Sequence, residues 1–331
     1  MSTNGALLEL RSVVKEYPIT SGILQRKVGA VHAVSDVSFA VPSGATFGLV
    51  GESGCGKTTV GKLIVGLERP TDGSVVFGGR DVNGIPWRQR RSQHRDRQIV
   101  FQDPYASLDP RMRVGSIVRE PLAIQRLGSR REQQGTVNRL LEEVGLPRDA
   151  VNRYPHEFSG GQRQRIGLAR ALALNPKLIV ADEPVSALDV SIRSQVLNLM
   201  RELQRRHDLT YIVISHDLTV VRYVSDLLGV MYLGKLVETG DAETVYARPA
   251  HPYTAALIAT IPLPDPRHER SKSHAAIRGE LPSAIDPPSG CRFRTRCPRA
   301  QELCAQVEPP LRPFGQRHLA ACHFPLQEPT E

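Results

Sequence analysis

The stretch GLVGESGCGKTTVGKLIVGL, residues 48–67, decides the fold class of this chain. It carries the pattern G-x-x-x-x-G-K-[ST] at Gly51, Gly56, Lys57 and Thr58, between a strand-like apolar run and a helical pattern. Glycines allow a tight turn in which successive N–H groups converge on phosphate oxygens, and the following helix adds partial positive charge. The stretch therefore predicts a loop that binds the phosphates of a nucleotide.

The side chains of this loop suit separate contacts with a nucleotide. Lys57 is long and cationic enough to reach the β- and γ-phosphates, Thr58 offers a hydroxyl to Mg²⁺, and Thr59 is placed to contact the α-phosphate. Cys55 is expected there because a small residue fits the turn. The residues expected to surround the phosphates are Gly51, Ser53, Gly54, Cys55, Gly56, Lys57, Thr58 and Thr59.

Alternating strand and helix patterns surround the loop. The runs LIVADEP (178–184) and YIVIS (211–215) are short and apolar, as buried strands are. Between them, residues 190–207 repeat apolar side chains at helical spacing. That face consists of Ile192, Val196, Leu199 and Leu203. The order strand, helix, strand predicts an α/β fold with a parallel sheet and right-handed crossovers.

Side chains that can bind a metal or transfer a proton follow two of these strands. Asp182 and Glu183 follow the first, and His216 follows the second. Because successive strand residues point in opposite directions, one carboxylate can face Mg²⁺ and the other a water molecule. We expect Asp182 to orient the metal, Glu183 to act as general base, and His216 to sense the γ-phosphate.

A second candidate anion site lies in the segment EFSGGQRQRIGLARALALNP, residues 157–176. Ser159 and Gln162 have the spacing of a capping box, and Gly160 and Gly161 leave the helix N-terminus bare. Capping alone does not explain two adjacent glycines, which cost helix stability. The loop at residues 51–59 already provides a phosphate site for one nucleotide. The second site is therefore expected to contact a nucleotide that another chain holds. Two subunits would then face each other head to tail.

Composition changes near the C-terminus. The segment 262–331 holds 12 of the 25 prolines, and residues 261–274 (IPLPDPRHERSKSH) read as a linker. We therefore predict two domains, 1–262 and a small Cys-rich domain at 263–331. No signal peptide or membrane span is evident, so a cytosolic chain is expected.

Four of the five cysteines lie in the last 41 residues, and clustered cysteines in a cytosolic chain favour a metal over disulfides. The four are Cys291, Cys297, Cys304 and Cys322. Tetrahedral Zn²⁺ and an iron–sulfur cluster both suit four thiolates, while unligated thiols are the alternative. His318 and His323 are further possible ligands, although surface positions are the simpler expectation.

The chain is basic, with a net charge of +9 and a pI of about 9.6. Such a balance suits nucleic acid or an anionic membrane, but solvated arginine-rich faces explain it at least as well. The basic run at 87–97 lacks interleaved aromatic residues, and it reads as a solvated helix before a strand.

Taken together, the motifs resemble those of the ATP-binding-cassette (ABC) ATPases, over residues 7 to about 257. The motifs are the loop GESGCGKTT, FSGGQ, LIVADEP, SALD and the histidine after YIVIS. The resemblance implies a P-loop NTPase (RecA-like) nucleotide-binding domain with a helical subdomain, using ATP and Mg²⁺. It also implies that Gln102 contacts Mg²⁺, that Tyr17 stacks on adenine, and that Asp189 links the two sites of a dimer.

A narrower resemblance is to the ATPase subunits of oligopeptide and dipeptide importers, of the F type. It is carried by FQDPYASLDPR, HPYTAAL and the cysteine tail. It implies a D-type ATPase partner, two membrane permeases and an extracytoplasmic solute-binding protein, with the chain held peripherally at the cytoplasmic face of the membrane. It also favours a [4Fe–4S] cluster over Zn²⁺. Nickel complexes, glutathione and opines are alternative solutes.

Two other functions are considered. A soluble ABC ATPase acting on nucleic acid or ribosomes usually has two cassettes or a long coiled coil, and this chain has neither, so no nucleic-acid partner is expected. A regulatory module that uses the tail as a redox sensor is compatible with transport.

Overall fold

The computed structural model describes residues 5–22, 26–85, 94–103, 107–261 and 279–330. The strands are β1 Ala6–Ser21, β2 Arg26–Pro42, β3 Thr46–Val50, β4 Asp72–Phe77, β5 Arg80–Asp81, β6 Arg97–Val100, β7 Leu178–Asp182, β8 Thr210–Ser215, β9 Leu227–Tyr232, β10 Lys235–Asp241, β11 Arg312–Pro313 and β12 Leu319–Ala320. The helices are α1 Lys57–Val65, α2 Val114–Gln125, α3 Arg130–Glu143, α4 Gly160–Leu172, α5 Val190–His207, α6 Leu218–Val224, α7 Ala242–Ala247, α8 Pro252–Ala259 and α9 Leu303–Gln306. Most of the predicted linker, the domain boundary at 262/263 and part of the basic run lie outside the described residues.

The central sheet has the predicted parallel strands, in the order β9-β3-β8-β7-β6. Successive residues of β7 alternate between two apolar layers: Leu178 and Val180 lie on one side, and Ile179 and Ala181 on the other. Both faces are therefore covered, which explains why the strand is apolar throughout. Since β3, β7 and β8 are parallel, their carboxyl ends meet at one edge, where open α/β sheets bind ligands.

A second, antiparallel sheet has the order β2-β1-β4-β5. The runs LLELRSVV (7–14) and AVSDVSFAV (33–41) predict strands, and each lies within a longer observed strand, β1 or β2. Phe39 of β2 stacks on Phe47 of β3, with ring centroids 4.3 Å apart. This contact fixes the second sheet against the strand that precedes the phosphate loop.

The segment between β6 and β7 is helical. Helices α2, α3 and α4 pack together with short 3₁₀ turns at Arg148–Asn152 and Pro155–Glu157. Helix α3 begins with a capping box between Ser129 and Glu132, and α4 begins with one between Ser159 and Gln162. The predicted apolar face of α4 is buried, with Ile166 and Ala169 fully inaccessible. A helical subdomain is thus inserted between two strands of the parallel sheet.

The C-terminal segment packs against the main sheet. β12 pairs with β10, and β11 pairs with β12, all antiparallel. His318, expected at the surface, is buried at 2% exposure, and its Nε2 lies 2.6 Å from Oε1 of the fully buried Glu238. This pair joins residues 80 positions apart. Across the described ranges, no helix combines the length and apolar character needed to cross a bilayer.

Candidate nucleotide-binding site

The loop between β3 and α1 has a backbone that requires glycine at two positions. Gly51 has φ 152°, and Gly56 has φ 106°. A Cβ added at Gly51 would lie 2.2 Å from the carbonyl oxygen of Met231, and one at Gly56 would lie 2.1 Å from that of Ala33. Both contacts are with backbone, so neither can be relieved by a side-chain rotation. The glycines therefore fix a loop that other residues cannot form.

Lys57 begins α1, and its ammonium group bends back over the loop. Nζ donates hydrogen bonds to the carbonyl oxygens of Gly51 (2.7 Å) and Glu52 (2.9 Å). The side chain is buried, which places a positive charge inside the loop where phosphates are expected. Cys55 is 1% exposed, and burial raises the pKa of its thiol, as suits the packing role predicted for it.

Thr58 and Asp182 provide adjacent oxygen ligands. Oγ1 of Thr58 donates to Oδ1 of Asp182 at 3.2 Å, joining the start of α1 to the end of β7. Burial raises the pKa of Asp182, and the bond from Thr58 opposes that rise. A hydroxyl and a carboxylate are the hard oxygen ligands that Mg²⁺ prefers, and a cation would offset the cost of burying the carboxylate. These residues fit the predicted magnesium site.

Glu183 contacts two other predicted site residues, Gln102 and His216. Its Oε2 accepts a hydrogen bond from Nε2 of Gln102 at 2.7 Å, and its Oε1 lies 2.8 Å from Nδ1 of His216. The backbone N–H of Glu183 donates to the carbonyl oxygen of Ile214 in β8, at 2.8 Å. Its φ of 47° is left-handed, which turns the side chain away from the direction that Asp182 takes.

The second candidate anion site, Ser159 to Gln162, caps its own helix as predicted. Oγ of Ser159 accepts from the N–H of Gln162 at 3.3 Å, and Oε1 of Gln162 accepts from the N–H of Ser159 at 3.0 Å. The structure also gives Gly161 a packing role, because a Cβ there would lie 2.4 Å from Cγ2 of Ile192 in α5. Packing against α5 therefore requires glycine at position 161 whether or not a ligand binds there.

Three predicted residues lie on separate elements. Tyr17 lies half-buried in β1, with Nζ of Lys15 4.8 Å from its ring centroid. Asp189 is exposed at the N-terminus of α5 and makes no side-chain cap there. Ser53 is exposed in the phosphate loop.

The four tail cysteines lie close enough to influence one another. Burial raises the pKa of Cys291 to about 11 and of Cys322 to about 12, and neighbouring cysteines add to both shifts. The N–H of Cys291 donates to the carbonyl oxygen of Cys304 at 2.8 Å. However, within the described ranges, no three His, Cys, Asp or Glu side chains are positioned to hold a metal ion. The predicted iron–sulfur or zinc site is therefore not supported by this arrangement.

Sequence reasoning did not find two residues that contact the phosphate loop from the C-terminal part of the chain. Nη1 of Arg296 lies 2.7 Å from Oε2 of Glu52, and the hydroxyl of Tyr253 accepts from the N–H of Glu52 at 3.0 Å. The motif leaves the position of Glu52 free, so the pattern gives no signal for this contact.

Comparison with known proteins identifies the family. The chain is 51% identical over 319 residues to the oligopeptide transport ATP-binding protein AppF of Bacillus subtilis, covering 96% of this chain and 97% of that protein. The chain belongs to the ABC transporter family. Two protein-family models match this ABC protein. The model described as "ABC transporter" matches residues 34–186, and the model described as "Oligopeptide/dipeptide transporter, C-terminal region" matches residues 237–304.

Solved structures confirm the ABC nucleotide-binding fold. The ATP-binding cassette MJ0796, a dimer in a post-hydrolysis state with ADP and Pi, matches with a TM-score of 0.62 and 28% identity. It covers 71% of this ABC protein and 98% of its own chain. CbiO1 of Clostridium perfringens, part of the ABC transporter complex cbiONQ, has a similar fold, with a TM-score of 0.65 and 23% identity over 81% of this chain and 99% of its own.

Proposed function

We propose that this protein is the ATP-hydrolysing, energy-coupling subunit of an importer for dipeptides or oligopeptides. The observation that carries the proposal is the arrangement around Glu183, whose two carboxylate oxygens contact Gln102 and His216 beside the Thr58–Asp182 pair. The sequence relationship to an oligopeptide transport ATP-binding protein supports the substrate class. Nickel complexes, glutathione or opines are alternative solutes, because other subunits select the solute.

ATP binding follows from the loop and its neighbours. Backbone N–H groups of residues 51–59 and the Lys57 ammonium group hold the phosphates, and Tyr17 stacks on adenine. Thr58, Asp182 and Gln102 would hold Mg²⁺, and the bound ion would neutralise charge on the β- and γ-phosphates. Asp182 is suited to this role because it is buried beside the Thr58 hydroxyl.

Glu183 orients and deprotonates the attacking water. Gln102 and His216 each contact one of its oxygens, which fixes the direction of the carboxylate. A positioned base contributes about 10²- to 10⁴-fold to a reaction rate. His216, 56% exposed, can turn toward the γ-phosphate while holding Glu183.

Closure of a dimer couples hydrolysis to transport. Ser159, Gly160, Gly161 and Gln162 at the start of α4 contact the ATP held by the second subunit, and Asp189 links the two sites. Because this contact exists only in the closed dimer, ATP shifts the equilibrium toward closure and hydrolysis releases it. The partners are a D-type ATPase, two permeases and a solute-binding protein outside the cell. The chain then lies peripherally at the cytoplasmic face of the membrane.

The substitution Glu183→Gln tests this function. We expect the variant to bind MgATP, to hydrolyse it at least ~100-fold more slowly, and to remain associated with its ATPase partner. Hydrolysis by the purified subunit pair and sedimentation with MgATP or MgADP measure these effects. Glu202→Gln, on the exposed side of α5, is the matched control and should behave as the wild type. Wild-type turnover by Glu183→Gln would refute the role of Glu183.

Co-purification separates this function from a soluble ATPase acting on nucleic acid, an alternative that the relatives found do not support. The wild-type protein should purify with two membrane permeases and without RNA. Recovery with RNA or ribosomes and no permease would overturn the transport proposal.

We also propose that the four tail cysteines bind a [4Fe–4S] cluster in preference to Zn²⁺. The clustering of these cysteines in the last 41 residues supports this proposal, and binding requires their side chains to turn toward a common point and to lose their protons. Anaerobically purified protein should be brown, with absorbance near about 400 nm, and should lose that absorbance in the Cys297→Ser variant. Colourless protein containing one zinc would favour Zn²⁺, and metal-free protein would refute both.

A further inference from the structure

The phosphate loop is held from its outer side by the C-terminal part of the chain. The ion pair between Arg296 and Glu52 spans 244 positions in sequence and has a distance of 2.7 Å. The Arg296 side chain is 8% exposed and that of Glu52 is 24% exposed, so solvent screens the pair only partly. Glu52 directly follows Gly51, one of the two positions where the loop backbone requires glycine.

A second contact fixes the backbone at the same residue. The N–H of Glu52 donates to the hydroxyl of Tyr253, a fully buried residue of α8. Nη1 of Arg296 also lies 3.4 Å from the hydroxyl of Tyr232, which ends β9. Both the side chain and the backbone of Glu52 are therefore held by residues that lie outside the nucleotide motif.

The turn that carries Arg296 is itself firmly anchored. Phe293 is buried among aromatic rings, with centroids 5.2 Å from Tyr232 and 5.3 Å from Tyr253. Arg292 donates to the carbonyl oxygen of Leu233 and, at 3.0 Å, to Oγ of Ser35. Because the turn is packed on both sides, Arg296 cannot follow Glu52 if the loop moves, and so it acts as a fixed support.

The contacts of Arg296 and Tyr253 with Glu52 have two consequences for phosphate binding by the loop. A carboxylate in a loop that receives phosphates repels them, and the guanidinium group of Arg296 offsets that charge. A glycine-rich loop loses conformational freedom on binding, and a loop held in place beforehand loses less. We propose that Arg296 and Tyr253 are positioning residues that hold the phosphate loop in its nucleotide-binding conformation. The proposal rests on the proposed ATPase function.

Nucleotide affinity of the full chain tests the proposal. Titration with a fluorescent ATP analogue and Mg²⁺ should show ~3- to 10-fold weaker binding by Arg296→Gln, the range expected when groups in contact are uncoupled. Arg294→Gln is the matched control, because Arg294 lies in the same turn and bonds to Ser289 instead of the loop. It should bind as tightly as the wild type. Arg296→Lys should recover part of the affinity by restoring the charge.

A second variant guards against misfolding of the first. Tyr253→Phe keeps the buried ring and removes the hydroxyl, and it should weaken nucleotide binding ~2- to 5-fold. A general loss of stability would instead lower the melting temperature without changing the affinity of the folded fraction. Wild-type affinity in both Arg296→Gln and Tyr253→Phe would overturn this inference alone. A wild-type chain that binds no MgATP would overturn the proposed function, and this inference with it.

Discussion

At the scale of a residue, Glu183 shows what the sequence predicts about the site and what it does not. Alternation along β7 predicts that Asp182 and Glu183 point in different directions. The two side chains do make different contacts, but β7 ends at Asp182, so strand alternation does not set the direction of Glu183. The left-handed φ of Glu183 could not be predicted, because glutamate has no preference for it. That conformation persists because the hydrogen bond to Ile214 and two side-chain contacts hold it.

Two loop glycines should differ in what replacement costs. Gly54 has φ 79° with open space where a Cβ would lie, whereas Gly56 has φ 106° and would place a Cβ 2.1 Å from backbone. We expect Gly54→Ala to lower the free energy of unfolding by about 1 kcal/mol and Gly56→Ala by about 3 kcal/mol or more. Denaturant unfolding without nucleotide measures both, and equal losses would contradict this account of the loop.

His251 should make stability depend on pH. Burial lowers the pKa of His251 to about 4, with Glu238 opposing that shift, while the unfolded value is near 6.5. The unfolded chain therefore binds the proton more readily, so stability falls as pH drops from about 6.5 toward 4. The loss from this group between pH 7 and 5 is ~2 kcal/mol.

The variant His251→Asn isolates this effect, because asparagine can still accept the Tyr253 N–H bond that begins α8. Its unfolding free energy should change ~2 kcal/mol less than that of the wild type between pH 7 and 5. Parallel pH profiles for the two proteins would show that another group is responsible.

At the scale of an element, capping patterns and helical spacing are the parts that sequence predicts well. The structure places α5 at Val190–His207, the bounds read from the pattern, and begins α4 at the predicted capping box. Strands β4 and β10 were not predicted. Although β4 and β10 each pair with a neighbouring strand in the sequence, short strands of mixed polarity carry no strong period.

The two capping boxes provide a matched comparison. Ser129→Ala and Ser159→Ala should each lower the free energy of unfolding by about 1 kcal/mol, because each removes the acceptor for one helix N–H group. Only Ser159→Ala should also reduce MgATP-dependent association in the Glu183→Gln background. Denaturant melts and sedimentation separate the effects; reduced association in Ser129→Ala would mean that helix stability alone controls assembly.

At the scale of the whole molecule, the C-terminal segment makes contacts that the sequence does not predict. Its cysteines predict a small domain with a metal site, but they give no sign that β12 pairs with the main sheet or that His318 contacts buried Glu238. Contacts between positions 80 apart leave no trace in local periodicity. The boundary at 262/263 remains a prediction.

The Glu238–His318 pair should be a major support of this attachment. Glu238 also accepts from the N–H groups of Ala250 (2.6 Å) and His251 (3.0 Å). His318→Ala leaves a buried carboxylate short of one partner, so we expect a loss of ~3 kcal/mol in the free energy of unfolding. His323→Ala, whose ring bonds a backbone carbonyl near the surface, should cost about 1 kcal/mol or less. Similar losses in both would refute the importance of the pair.

The pairing of β12 with β10 has a consequence for the integrity of the chain. Through Glu238↔Ala320 and Thr239↔Leu319, the last strands cover backbone amides that would otherwise be open to solvent. An open strand edge is a template for pairing with another molecule. Proteolytic removal of β12 would thus make copies of the protein prone to aggregate, so this pairing also protects solubility.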